Sequence, residues 1–147
     1  MFILKKVYCR IFQKVFRIAL PLLPYREPEI LESIELIPET VVKNGCKKPI
    51  IVTDKGIVNL GLIDSLVEAL KKSKIPFAIY DQTVPNPTTD NVAKAYDLYK
   101  KENCDCLIAL GGGSSVDCGK ALGVRIVYPK KTLAQVKGIL KVHKKLP

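Results

Sequence analysis

The sequence predicts an α/β fold, a parallel sheet flanked by helices and preceded by an amphipathic N-terminal helix. Three observations carry this. Compact apolar runs rich in β-branched residues recur at 49–54, 77–81 and 106–110. Each is followed by a segment whose apolar residues return with helical spacing. Each also ends in a short polar or glycine-rich loop. Strands alternating with helices of this length build βαβ units and hence a parallel sheet.

The chain has 147 residues, is 48% hydrophobic and has a mean hydropathy of +0.13, which is enough for one ordinary core and excludes a disordered chain. The net charge of +10 is uneven. Residues 1–26 hold six Lys/Arg and no acid, and residues 125–147 hold seven and no acid. The middle carries 11 basic against 14 acidic groups. The basicity belongs to the ends, so the body does not read as a nucleic-acid binder.

The opening segment, MFILKKVYCRIFQKVFRIALPLLP, places Leu4, Val7, Tyr8, Ile11, Phe12, Val15 and Ala19 at helical spacing, with Lys5, Lys6, Arg10, Lys14 and Arg17 between them. Pro21 and Pro24 end this helix. Charges interrupt every turn, so it is not a membrane span, and it lacks the charge-free core of a secretory signal. It is read as packing on its own domain, with a membrane-surface or organelle-targeting helix as the alternative. Residues 1–28 are thus a basic helix and linker, and 29–147 are the α/β domain.

Within that domain, EILESIELIP (29–38) reads as a short strand, and Pro38 starts a brief helical turn toward Gly45. PIIVTD (49–54) is a strand. LIDSLVEALKKSK (62–74) is a helix with Leu62, Leu66, Ala69 and Leu70 on one face. FAIYD (77–81) is the next strand. The loop QTVPNPTTD leads into a helix over 91–102, capped by Thr89 or Asp90. CLIAL (106–110) is the third strand, and Ser114 or Ser115 opens a helix to about Val127. The lysine-rich stretch 132–146 is a last helix or loop.

Five cysteines, at 9, 46, 104, 106 and 118, form no regular framework. They imply reduced thiols in a cytoplasmic protein. Cys104 and Cys106 at the start of a strand act as small hydrophobes, and without a CxxC pair and with a single histidine, zinc is not expected.

All three strands should end on one edge, at Asp54, Asp81 and Leu110, the edge beyond which such sheets bind ligands. There the sequence reads LIALGGGSS. Glycines remove the Cβ atoms that keep a ligand from the backbone, and the following helix offers amide N–H groups and its positive dipole end to a phosphate. Ser114 and Ser115 add hydroxyls. The stretch is neither GxGxxG, since Val116 stands where Gly is needed, nor a P-loop. A tight turn also uses glycine, but three in a row exceed what a turn needs. Asp54 can accept hydrogen bonds from a ribose diol or serve as a turn cap. Asn86, between Pro85 and Pro87, is expected in an extended conformation, its amide fixed beside the ligand edge. Asp117 lies three residues after Ser114, one turn up the same helix, where Lys120 can pair with it.

Three motifs together, IVTDKGIVNLG at 51–61, YDQTVPNPT at 80–88 and LIALGGGSSVDCGKA at 107–121, resemble the amino-terminal, Rossmann-like nucleotide-binding portion of the iron-dependent (group III) alcohol dehydrogenases. The resemblance covers residue 29 onward. It implies an oxidoreductase interconverting alcohols and aldehydes or ketones. Asp54 would meet the adenosine ribose and favour NAD over NADP. Gly112, Gly113, Ser114 and Ser115 would hold the pyrophosphate, Asp117 would lie toward the nicotinamide, and Asn86 would contact the cofactor from the facing loop. The family's iron or other divalent metal is held by one aspartate and three histidines in a helical domain. This chain lacks that set, and its His143 is read as a solvated side chain. The chain alone is therefore expected to be inactive. The alternative is a stand-alone nucleotide- or phosphate-binding module, or a docking subunit prone to self-association.

Overall fold

The computed structural model describes residues 2–19, 29–138, 142, 146 and 147. The chain divides into two compact units, residues 1–30 and 31–147. The first holds one helix, α1 (Phe2–Ala19). Its aromatic side chains at i, i+4 spacing stack: the Tyr8 and Phe12 rings lie 6.4 Å apart and Phe12 and Phe16 6.0 Å apart. Val7, Tyr8, Ile11, Phe12, Val15 and Ile18 are all exposed.

The second unit is a three-layer α/β arrangement. Its elements are a 3-10 turn (Ile34–Leu36), α2 (Ile37–Lys43), β1 (Pro49–Val52), α3 (Lys55–Asn59), α4 (Asp64–Lys72), β2 (Ala78–Tyr80), α5 (Thr89–Lys101), β3 (Cys106–Ala109), α6 (Gly113–Val127) and a 3-10 turn at Leu133–Val136. The strands run parallel in the order β2-β1-β3, with Val52 opposite Tyr80 on one side and Ala109 on the other.

Central β1 is buried along its whole length, as an apolar run without polar alternation requires. Its successive side chains point to opposite faces. Ile50 and Val52 pack with Val92, Ala95, Cys118 and Leu122 of α5 and α6. Ile51 packs with Val41, Leu66 and Leu70 of α2 and α4. The two ends of the strands are tied separately. At the start, the Asp105 carboxylate accepts the backbone N–H groups of Lys47 (2.7 Å) and Lys48 (2.9 Å). At the finish, Leu110 N–H donates to Val52 O (2.9 Å) and Thr53 N–H to Tyr80 O (2.8 Å). The three strand ends therefore converge on one edge, as expected.

Several local expectations are corrected. Residues 29–38 form no strand. Ser33 accepts the Glu35 N–H and caps the 3-10 turn, and Pro38 sits in the first turn of α2, where its missing N–H costs nothing. Ile34, Ile37 and Val41 return at helical spacing onto the α4 side of the sheet. Leu62 precedes α4 and is exposed, while Leu66, Ala69 and Leu70 are buried. Helix α5 is capped by Thr88, one residue before the expected pair; Thr88 and Asn91 exchange side-chain and backbone hydrogen bonds in a capping box. Helix α6 starts at Gly113 with Gly112 as its cap, not a serine. Asn86 is left-handed (φ +54), not extended; asparagine tolerates that region better than other residues with a Cβ. Cys104 and Cys106 are buried, as expected of small hydrophobes. Of the expected last helix or loop, Leu133–Val136 forms the 3-10 turn, while residues 139–141 and 143–145, His143 among them, lie outside the described residues.

Two glycines are dictated by position. Gly111 has φ +136, and a Cβ there would stand 2.8 Å from Ser115 Oγ. A Cβ on Gly119 would meet the Ala109 Cβ at 2.8 Å, so α6 lies directly on β3 only because that side chain is missing.

Candidate functional site

A cleft of about 760 Å³ opens beyond the carboxyl ends of the strands. Its walls are the β1–α3 junction (Asp54, Lys55, Gly56), the loop after β2 (Asp81 to Pro85) and the start of α6 (Gly112, Gly113, Ser114).

Asp54 is fixed on both sides. Its Oδ1 accepts the Ile57 N–H at 3.1 Å and caps α3, and its Oδ2 accepts the Ser115 hydroxyl at 3.0 Å. The turn-cap and ligand readings are therefore compatible, because each carboxylate oxygen has lone pairs for a further donor. Ser115 is fully buried. Its neighbour Ser114 turns toward the cleft, where its hydroxyl accepts the Asn86 N–H at 3.4 Å.

On the far wall, Asn91 reaches back from α5 and donates to Gln82 O (3.0 Å) and to the Tyr80 hydroxyl (3.4 Å), which holds the loop after β2 in place. Burial raises the Tyr80 pKa further, so this hydroxyl stays neutral. Lys94 pairs with Asp90 at 2.9 Å, and that carboxylate raises its pKa, so the ammonium remains charged at the rim.

Of the candidate residues read from the sequence, Asp54, Gly112, Gly113 and Ser114 line one cleft. Asn86 adjoins it through its backbone N–H. Ser115 lies behind Asp54. Asp117 is exposed and pairs with Lys120 at 3.6 Å, as anticipated from their spacing. Sequence reasoning missed Lys55, Gln82, Thr83, Asn91 and Lys94. The Asn three residues after Thr88 was a legible capping signal that would have placed Asn91. The others carry no motif.

The start of α6 suits an anion such as a diphosphate. A Cβ built on Gly112 or Gly113 meets nothing within 4 Å, so the backbone there is open to a ligand. No side chain caps the first turn of the 15-residue α6, whose amide N–H groups and dipole favour an anion. The buried Thr83 hydroxyl in the wall has no hydrogen-bond partner of full geometry, although the Cys118 thiol stands beside it.

Iron does not fit the described residues in the same way. Among them, the candidate ligand cluster is Cys46, Asp105 and Cys106, with ligand atoms within 4.8 Å of one another. It sits at the opposite ends of the strands. Burial, with Cys46 and Asp105 nearby, pushes the Cys106 thiol far up, and the Asp105 oxygens are engaged by backbone N–H groups. This is not the aspartate-and-histidine set that the family resemblance implies.

The fold and the cleft define an α/β protein with a candidate ligand cleft beyond the carboxyl ends of a parallel sheet. The chain belongs to the iron-containing alcohol dehydrogenase family, whose model matches residues 31–147. A choline dehydrogenase of Bacillus subtilis (strain 168) is 41% identical over 95 residues, covering 65% of this chain and 24% of that protein. The crystal structure of a 1,3-propanediol oxidoreductase superposes with a TM-score of 0.75 at 34% identity, covering 79% of this chain and 30% of that one. The NADH-dependent butanol dehydrogenase A of Thermotoga maritima superposes with a TM-score of 0.70 at 30% identity, covering 79% and 29%. The chain thus spans less than a third of the length of each of these relatives. No described helix is long and apolar enough to cross a membrane.

Proposed function

We propose that this chain carries the NAD-binding portion of an iron-dependent alcohol dehydrogenase, which in complete form interconverts alcohols with aldehydes or ketones. Residues 29–147 are the nucleotide-binding domain in this reading, and 1–28 a separate helix and linker. The observation that carries it is the open backbone of Gly112 and Gly113 at the start of α6, lining one cleft together with Asp54.

The diphosphate lies against the first-turn N–H groups of α6, with the Ser114 hydroxyl as a further donor. The Asp54 carboxylate accepts the adenosine ribose hydroxyls. Its charge repels a 2′-phosphate, which favours NAD over NADP. Ser115 supports the site through Asp54, whose carboxylate its buried hydroxyl holds in place. Asp117 lies further along α6, toward the nicotinamide end, and the Asn86 loop closes the facing side. When bound, the nicotinamide supplies the hydride acceptor. The chain's own residues bind and orient it. The described residues hold no fitting iron ligands. The NADH dependence of the Thermotoga maritima butanol dehydrogenase supports this choice of cofactor. The buried, unbridged thiols support a cytoplasmic setting.

Titrating the chain with NADH and NADPH while following nicotinamide fluorescence tests the reading. NADH is expected to bind weakly, at least tenfold tighter than NADPH, with Asp54→Ala narrowing the gap. No response at millimolar NADH sinks it. A second reading, a docking subunit without catalysis, is favoured by an apolar cleft of about 530 Å³ beside edge strand β3, lined by Ile37, Val41, Leu107 and Ile108 among others. A clean monomer by light scattering, at concentrations where apolar surfaces associate, counts against it.

A further inference from the structure

The cleft leaves α1 unexplained. Viewed down its axis at 3.6 residues per turn, Val7, Tyr8, Ile11, Phe12, Val15 and Ile18 share one broad arc, and Lys6, Arg10, Gln13, Lys14 and Arg17 share the other. The division is complete over residues 6–18: no charge falls within the apolar arc and no large apolar side chain within the cationic one. Residues 1–26 contain no acid at all.

The apolar arc is open to solvent. Ile18 is 74% exposed, Tyr8 69% and Val15 60%. A continuous apolar strip of this size marks a surface that is covered in use. Its cationic flank selects what covers it. An acid-free polar arc is attracted to a negatively charged plane. A strip of aliphatic and stacked aromatic side chains needs that plane to have an apolar interior. The grooves of nucleic acid satisfy the charge and leave the strip in water. The helix is 18 residues long, about 27 Å at 1.5 Å per residue, and charges recur at every turn, so it suits the bilayer surface and not its span.

The structure assigns α1 as an interfacial helix that binds an anionic bilayer, with its apolar arc in the acyl boundary and Arg10, Lys14 and Arg17 among the headgroups. The attachment is independent of the nucleotide cleft and of its proposed cofactor.

The test is flotation of the full 147-residue chain with vesicles of phosphatidylcholine and phosphatidylglycerol, and with vesicles of phosphatidylcholine alone. Binding to the anionic vesicles is expected to exceed binding to the neutral ones at least tenfold and to weaken steeply at high salt. Arg10→Gln with Arg17→Gln is expected to lose about fivefold per removed charge. Ile11→Glu with Val15→Glu is expected to lose at least tenfold, with the thermal unfolding midpoint of the α/β unit unchanged. Equal flotation of this double variant and the parent overturns the assignment. So does a lowered unfolding midpoint with unchanged flotation, which would mean that the arc packs on protein. Tighter retention on duplex DNA than on anionic vesicles at equal salt overturns it as well.

Discussion

The Ser115 hydroxyl donates to the Asp54 carboxylate at 3.0 Å across 61 residues of sequence, and joins the end of the first strand to the first turn of α6. Ser115 is fully buried, and the same carboxylate caps α3. One side chain thus sets the positions of two helix starts at the edge of the cleft.

Removing either partner should show this. Asp54→Ala loses a helix cap and the acceptor of a buried hydroxyl, and is expected to cost about 2–3 kcal/mol. Ser115→Ala leaves the carboxylate its Ile57 bond and should cost about 1 kcal/mol. Urea unfolding measures both. If the two act through one bond, the double variant costs less than their sum.

The glycine run separates fold from ligand. Gly111→Ala forces a Cβ to within 2.8 Å of Ser115 Oγ at φ +136 and should destabilise by about 1–3 kcal/mol. Gly112→Ala meets nothing and should leave stability within about 0.5 kcal/mol, while lowering NADH affinity at least tenfold. Equal effects of the two substitutions on stability would contradict the assignment of Gly112 to the ligand.

Gly119 tests the seat of α6 on the sheet. Gly119→Ala drives its Cβ against that of Ala109 and should cost about 1–3 kcal/mol, beyond the gain from helix propensity. Adding Ala109→Gly removes the obstructing carbon and should restore part of the loss. Thermal melts of the single and double variants decide it.

Acid should loosen the opposite end of the sheet. Burial pushes the Asp105 carboxyl up, but hydrogen bonds from the N–H groups of Lys48 and Lys47, joined by the Cys106 thiol and Asp105's own N–H, leave its pKa below the ordinary value. A depressed folded pKa contributes stability above the unfolded value, near pH 4, and loses it as pH falls through the folded value. Unfolding midpoints from pH 7 to 2 should therefore fall less steeply for Asp105→Asn than for the parent. Parallel curves would show that the carboxylate's bonds to Lys47 and Lys48 do not contribute.

Much of this architecture was legible because burial leaves a local trace. A central parallel strand is covered on both faces, so PIIV reads as an unbroken apolar run. Helical faces repeat with their own period, and GGG at a strand end announces bare backbone. Residues 29–38 misled because a short mixed segment fits both periods; its packing against α4 chose the helical one. Leu62 looked like part of a helical face, but the helix begins two residues later. Sequence alone therefore determined the layering, the edge that carries the cleft and the glycines of its floor. Only the tertiary structure decided which serine faces the cleft. Adjacent helical side chains diverge by about 100°, so once Gly119 seats α6 on β3 the rotation of the helix is set. Ser114 then turns outward and Ser115 inward to Asp54. That rotation depends on contact between residues distant in sequence, and no local pattern encodes it.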